Sequence, residues 1–486
     1  MNSINAVLHW NEVALAMNVR DHSIDTTEAK APGPTASAYM LGLVHMCMAD
    51  ACGSFSDAGF KWFKQAALIQ KGDSKKATIG GAAYGALSHI YEQIDVLSKA
   101  RDVFLQELNR SPDGNVATGW KAGEQLGATL ARQFWNHEDV KMAIGRDGYN
   151  PGPGEHKEDP LNSGQGYYGV RWGRPSNGER RLISPLVLTD KQETDAKVKE
   201  PPLLTDKTYE AAWKEVHSQG EINTVTGTEA EKIALFWAYD GANGIGTPPR
   251  LYNQHLLTIG RADGINLDDE NTWARLLALC NLALADGGIV CWTGKYKHRI
   301  WRPIVGIWNE DKVTLPDSYP TNNKWKPFGS PVTNPKLAAS SRIAQVSLLG
   351  ASKKEPQFTP PFPSYPSGHA TFGSACFTVL RLVRDQMGKG SGGSPEGNEL
   401  DISLESDELN GKARDHRTGE LRPSMPRHFT RIKGTASEPR GIIEENGDSR
   451  IFQGVHWRFD STAGITSGEQ IGNFIFTSAY GLTDLG

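Results

Sequence analysis

Three short groups of residues in the C-terminal half of the chain carry side chains that grip negative charge. The first is Lys295, six residues, then Arg302-Pro303. The second is Pro366-Ser-Gly-His369, and the third runs Ser449-Arg450, five residues, His456, three residues, Asp460. Lysine offers a point charge and arginine a planar fork of donors, the two usual partners of an oxyanion. Prolines crowd the upstream side of Ser367, and an apolar, helix-compatible stretch follows over 370–383. A hydroxyl, the Gly368 N–H and an imidazole thus sit where loop becomes helix, a place whose free N–H groups and dipole favour an anion. Together the groups supply three cations, a hydroxyl, a backbone N–H and two imidazoles. Magnesium and calcium call for carboxylates, so this set does not suit them. A tetrahedral oxyanion with two or three negative charges suits it. Each group alone has a plainer account: a solvated basic face, a serine N-cap before an ordinary histidine, a surface pair of Arg450 with Asp448 or Asp460, a core histidine between Val455 and Trp457. The complete, ordered conjunction outweighs those accounts.

The elements that must hold these groups read as helices. Apolar residues recur at helical spacing over 4–17, 37–52, 78–108 with turns on either side of Gly85, 127–144, 209–217, 229–239, 272–291, 335–349 and 464–480. Alternating β-branched runs are few, so the fold class is all-α. The 240–250 stretch is a glycine-rich turn before another helix; it lacks Gly-Lys-Ser/Thr, which removes a nucleotide loop. Residues 146–207 are rich in glycine, proline and charge, but Tyr167, Tyr168, Trp172 and Leu186 mark a packed loop rather than a linker. Residues 305–335 read as loop, 388–397 as a glycine/serine-rich surface loop and 414–440 as a solvated basic loop.

Size and composition set outer bounds. A chain of 486 residues buries one large or two medium cores. Net charge is −4, without the basic excess of a nucleic-acid binder. No uninterrupted apolar run of membrane-spanning length stands out. The N-terminus lacks a basic region followed by an apolar core, so the reading is a soluble protein, cytoplasmic or exported by a leaderless route. Five scattered cysteines show neither zinc nor redox spacing and read as buried thiols.

The ordered triple Lys-x6-Arg-Pro, Pro-Ser-Gly-His, Ser-Arg-x5-His-x3-Asp resembles the superfamily of vanadium-dependent haloperoxidases and type 2 phosphatidic acid phosphatases. Phe236-Trp-Ala-Tyr-Asp-Gly241, Gly246-Thr-Pro-Pro-Arg250, Tyr252-Asn-Gln254, Pro361-Phe-Pro-Ser-Tyr-Pro366 and Gly454-Val-His-Trp-Arg-Phe-Asp460 resemble its chloroperoxidase branch, as do Trp10-Asn-Glu12 and Leu43-Val-His-Met46. The likeness covers nearly the whole chain and is weakest over 146–225 and 388–440. It implies two packed four-helix bundles with long irregular loops, an N-terminal one with its loop over 1–205 and a C-terminal one over 206–486 that carries the anion site. It also implies vanadate as cofactor, with neither haem nor nucleotide. His456 would be its axial ligand. Lys295, Arg302, Arg450, Ser367 and the Gly368 N–H would hold the equatorial oxygens, and His369 would be the acid–base group. Asp240 would pair with Arg450, and Asp460 would orient His456 or its helix.

The activity the resemblance implies is oxidation of halide by hydrogen peroxide to hypohalous acid through a peroxovanadate intermediate, with Lys295 polarising a peroxo oxygen. An organic acceptor then takes the halogen; no nucleic acid or membrane is implied, and a homo-oligomer is left open. Trp292 and Phe362 fall where chloroperoxidases carry aromatics over the halide pocket and algal bromoperoxidases place a histidine or an arginine, which leans towards chloride as well as bromide. The rival reading is an acid phosphatase in which His456 attacks phosphorus and His369 protonates the leaving oxygen.

Overall fold

The computed structural model describes residues 4–478 apart from 24–28, 56–67, 93, 146–147, 165, 176–177, 320, 335–357, 390–396 and 416. Caps set where several helices begin. Asn5, Ser74, Asn115 and Asp269 each accept the N–H of the residue three positions on, at 2.9–3.2 Å, and so start Ala6–Asp21, Lys75–Tyr91, Val116–Phe134 and Glu270–His298. The periodic stretch 78–108 is two helices rather than one. The first runs through Gly85 and ends at Glu92, in a left-handed conformation with φ 56°, and Asp95–Arg110 follows. Likewise 127–144 divides at Asn136, whose side chain caps His137–Ile144 by accepting from Asp139 N at 3.0 Å.

Two four-helix groups emerge from the packing. Ala6–Asp21, Gly33–Gly53, Lys75–Tyr91 and Val116–Phe134 pack on one another, and Glu270–His298, Gly368–Gln386, Ile442–Phe452 and Arg458–Ser478 form the second group. Gly33–Gly53 also lies along Glu270–His298, so the bundles share one extended apolar contact. That 29-residue central helix is long and apolar enough to cross a membrane, with mean hydropathy 1.6 in its most apolar window, a span the sequence reading passed over. Here 94% of that window is buried, so the apolar surface is core. Lys207–Gln219, the first helix after 205, contacts Pro303–Trp308, Ile442–Phe452 and Arg458–Ser478, and on this packing we propose the division into 1–205 and 206–486.

Gly464, Gly468 and Gly472 form one stripe on the closing helix, Arg458–Ser478. A Cβ at these positions would lie 2.4–2.8 Å from the backbone oxygens of Ser367, Thr371 and Ala375, so the stripe lets two helix backbones approach closely. That approach brings the third sequence group up to the second.

The 146–207 segment is packed, as its aromatics suggested. Trp172 and Leu186 are buried, and Asp286 of the central helix accepts the N–H groups of Leu186, Val187 and Leu188 at 2.7–2.9 Å. Burial pushes that carboxyl up to about 6 against those bonds. Most of the 414–440 stretch is exposed, as expected of a solvated loop, but part of it is ordered by pairing. Arg427–Arg431 pairs antiparallel with Glu399–Leu404, and Arg422 is buried against Glu408 and Asp415, which compensate its charge. In the stretch read as loop over 305–335, Pro303–Trp308 supplies a helical turn. The helix expected over 335–349 falls outside the described residues, as does most of the loop over 388–397. All five cysteines are buried and free.

Candidate active site

Lys295 lies in the last turns of the central helix, not on a loop beyond it. The helix closes at Arg299, left-handed with φ 52°, and the chain extends to Arg302, which precedes Pro303 at the start of the next helix. The proline run lies against this extended stretch: Ser364 N–H donates to Ile300 O at 2.9 Å and its hydroxyl to Trp301 O at 2.9 Å. Ser367 then caps Gly368–Gln386, and its N–H donates to Asp460 O at 3.0 Å. Arg450 sits in the last turn of Ile442–Phe452; a tight turn through Gly454 delivers His456, and Asp460 lies in the first turn of the closing helix. Gly368, His369, Arg450 and His456 thus line one buried cavity from helix ends, whereas Lys295, Arg302 and Ser367 lie behind its lining.

At that locus the donors have defined directions. Arg302 donates through Nε to Phe362 O and through Nη1 to Val455 O and His456 Nε2, each at 2.9 Å. Its Nη2 is buried with no hydrogen-bond partner among the described residues. Arg450 forks onto Asp240 at 3.1 and 3.2 Å, as expected of that pair, and its Nε is likewise buried without a partner. Buried donors left unpaired are costly, so two of them at one locus mark a place for an acceptor. Asp460 Oδ2 accepts from Trp457 N–H and from His456 Nδ1, both at 2.9 Å. The proton therefore sits on His456 Nδ1, and the Nε2 lone pair accepts from Arg302 Nη1, a bond that a ligand on Nε2 would replace. Burial, reinforced by the three neighbouring cations, holds that imidazole well below its ordinary value and so neutral at pH 7.

His369 points its Nε2 at Ala238 O, 2.8 Å away, with Asp240 Oδ1 at 3.9 Å. Burial and the Arg450 charge depress it to about 3. Asn446 and Tyr252 donate to its backbone carbonyl at 2.8 and 3.3 Å. Sequence reasoning missed both, as well as Ala238; Tyr252 stood in a recognised motif, whereas Asn446 gave no signal. It also missed how the 240 turn is held: Asp407 binds Arg250 and donates its N–H to Tyr239 OH, and Ser406 donates to Phe236 O.

Lys295 is the departure from a simple reading. Its ammonium donates to the carbonyls of Pro363, Ser364 and Pro366 at 2.5–3.0 Å, so all three protons are engaged within the proline run. It also stands 5.4 Å from the Trp292 ring and 5.2 Å from Phe362, and Arg302 lies 4.9 Å over Phe362. Those two rings, 4.9 Å apart, wall a cavity of about 30 Å³ that His369, Arg450, Asp240 and His456 also line. The donor set, with two orphaned N–H groups and a neutral imidazole lone pair, fits a tetrahedral oxyanion such as vanadate or phosphate.

One consequence concerns protons. Burial lowers Lys295 to about 7. An anion favours the ammonium and raises that value, so above about pH 7 the complex holds a proton the free protein lacks, and affinity falls as pH rises. Calorimetric titration with phosphate near pH 8, in two buffers of different ionisation heat, is expected to show uptake approaching about one proton. Lys295→Met should abolish most of that uptake; unchanged uptake would assign the proton elsewhere.

Residues 275–484 match the family model of the VCPO second helical-bundle domain. Vanadium chloroperoxidase from Curvularia inaequalis is 29% identical over 541 residues, covering 94% of this chain and 79% of that protein. A bacterial vanadium-dependent iodoperoxidase has the same fold, with TM-score 0.68, 17% identity and coverage of 98% of this chain and 97% of that one. A bacterial vanadium-dependent chloroperoxidase in its apo form gives TM-score 0.59 at 16% identity, over 91% of this chain and 94% of that one. The matched domain contains all three anion-gripping groups, and these likenesses support a vanadium haloperoxidase.

Proposed function

We propose that the protein oxidises bromide, and chloride as well, with hydrogen peroxide to hypohalous acid. The observation that carries this reading is the meeting of Arg450, with its buried unpaired Nε, and a neutral His456 on one small cavity, with Arg302 bonded to His456 behind them. His456, Lys295, Arg302, Ser367, Gly368 and Arg450 would hold vanadate, which when bound supplies a Lewis-acid centre for peroxide. Arg302 and Arg450, held by Phe362 O, Val455 O and Asp240, present their charge without reorganising, which is the condition for electrostatic stabilisation. Lys295 must exchange one carbonyl partner to donate to an incoming oxygen. His369, neutral at pH 7, takes a proton from peroxide at its unprotonated ring nitrogen and returns it to the departing oxygen. Asp240, 3.9 Å from that ring, favours the imidazolium in between. Trp292 and Phe362 exclude water from the halide; their aromatic character and the chloroperoxidase relative at 29% identity support chloride as a substrate beside bromide. The halogen then passes to an organic acceptor.

A second reading, phosphomonoester hydrolysis, draws on the same His456, since a neutral imidazole oriented by Asp460 is also a nucleophile. One experiment separates them. Protein incubated with vanadate and freed of excess is expected to brominate a phenolic dye with peroxide, and vanadate-free protein to hydrolyse an aryl phosphate slowly at most. Fast phosphatase turnover without halogenation would reverse the assignment.

A further inference from the structure

Tyr168 belongs to the long segment between the bundles and does not line the cavity, yet four attachments converge on it. Its N–H donates to Pro361 O at 2.8 Å, next to Phe362, and its carbonyl accepts the Tyr296 hydroxyl at 2.6 Å. Its own hydroxyl donates to Pro32 O at 2.8 Å and lies 2.9 Å from Thr35 Oγ1, both at the start of Gly33–Gly53. The ring stands edge-on to Trp292, with centroids 6.3 Å apart, and 6.1 Å from Phe362.

The slot for this ring is cut by Gly33. That residue has φ +75°, and a Cβ there would fall 2.4 Å from the Tyr168 ring. Glycine is thus required on two grounds, backbone conformation and space. A phenol hydroxyl at a residue 9% exposed is held to one position when it both donates and accepts, because any other position leaves a buried polar group unpaired. The N-terminal bundle therefore determines where the ring sits, and the ring determines how Trp292 and Phe362 stand.

We propose that Tyr168 is a positioning residue for the Trp292–Phe362 wall, so that halide affinity is set in part from the N-terminal bundle. This rests on the reading that halide is held against that wall. A small spherical anion has no directional contacts of its own, so shifts of about 0.5 Å in the wall are enough to alter its fit.

The test uses Tyr168→Phe, which keeps the ring and removes the hydroxyl, and Gly33→Ala, which crowds the ring. The full chain is labelled with 5-fluorotryptophan, and the Trp292 resonance is the one missing from Trp292→Phe. Both variants are expected to shift or broaden that resonance in vanadate-free protein while other indole lines stay in place. In vanadate-loaded protein the bromide KM should rise about tenfold, equivalent to about 1.4 kcal/mol, with kcat and vanadate affinity changed less than about threefold. A Trp292 line unmoved in both variants overturns the proposal. So does a joint fall of kcat, vanadate affinity and melting temperature, which is loss of fold rather than positioning. Should the unaltered protein fail to halogenate, the functional reading falls, and the fluorine lines still decide the role of Tyr168.

Discussion

Alanine at position 456 is expected to abolish vanadate retention, and with it every trace of halogenation that survives gel filtration. The expectation follows from the tautomer. Asp460 fixes the proton on Nδ1 and leaves Nε2, 2.9 Å from Arg302 Nη1 and on the cavity that Arg450 also lines, as the ligand nitrogen. His369, the other histidine on the cavity, is committed to Ala238 O through its Nε2. Asp460→Asn is the finer version. It keeps the volume but weakens control of the tautomer, and the loss in vanadate affinity should be about 10–100-fold, the range typical of partners that orient a ligand. Measuring bound vanadium after desalting gives both numbers. If the alanine variant retained vanadium and full activity, the proposed ligand role of His456 would be wrong.

His369→Ala should behave differently. The residue lies in the first turn of the Gly368–Gln386 helix and touches Ala238 O and the Asp240 carboxylate rather than the Arg302–His456 pair. Vanadate retention should therefore stay within about tenfold, while kcat for bromide falls by about 10²–10⁴, the usual contribution of a positioned acid–base group. The pH profile should change with it. In the free protein His369 is depressed to about 3 by burial and Arg450, and a bound anion moves it upward towards neutrality. The unaltered enzyme should lose rate on the acid side, as the base becomes protonated, and the variant should lack that limb. An unchanged profile at lower rate would move the acid–base role to another residue.

Much of this was legible beforehand. The spacing of Lys295 and Arg302, of Ser367 to His369, and of Arg450, His456 and Asp460 required only that loops meet helix ends, and they do. The Asp240–Arg450 pair was expected from a motif and appears as a two-bond fork. Boundaries were less legible. Helix 78–108 broke at Glu92, and Arg422 of the otherwise mostly exposed 414–440 stretch turned inward, because neither a left-handed cap on a non-glycine residue nor a buried Arg422–Glu408 pair leaves a periodic trace.

The sequence alone therefore carried the all-helical class and named the residues proposed to grip an oxyanion, since these depend on periodicity and on side-chain type. It did not carry direction. That Lys295 gives its protons to three carbonyls, that Arg302 and Arg450 each keep one nitrogen without a partner among the described residues, and that Tyr168 ties Trp292 and Phe362 to Gly33 are facts of long-range packing. Each depends on residues tens to hundreds of positions apart, and hydrogen-bond direction is settled only when those partners close around one another.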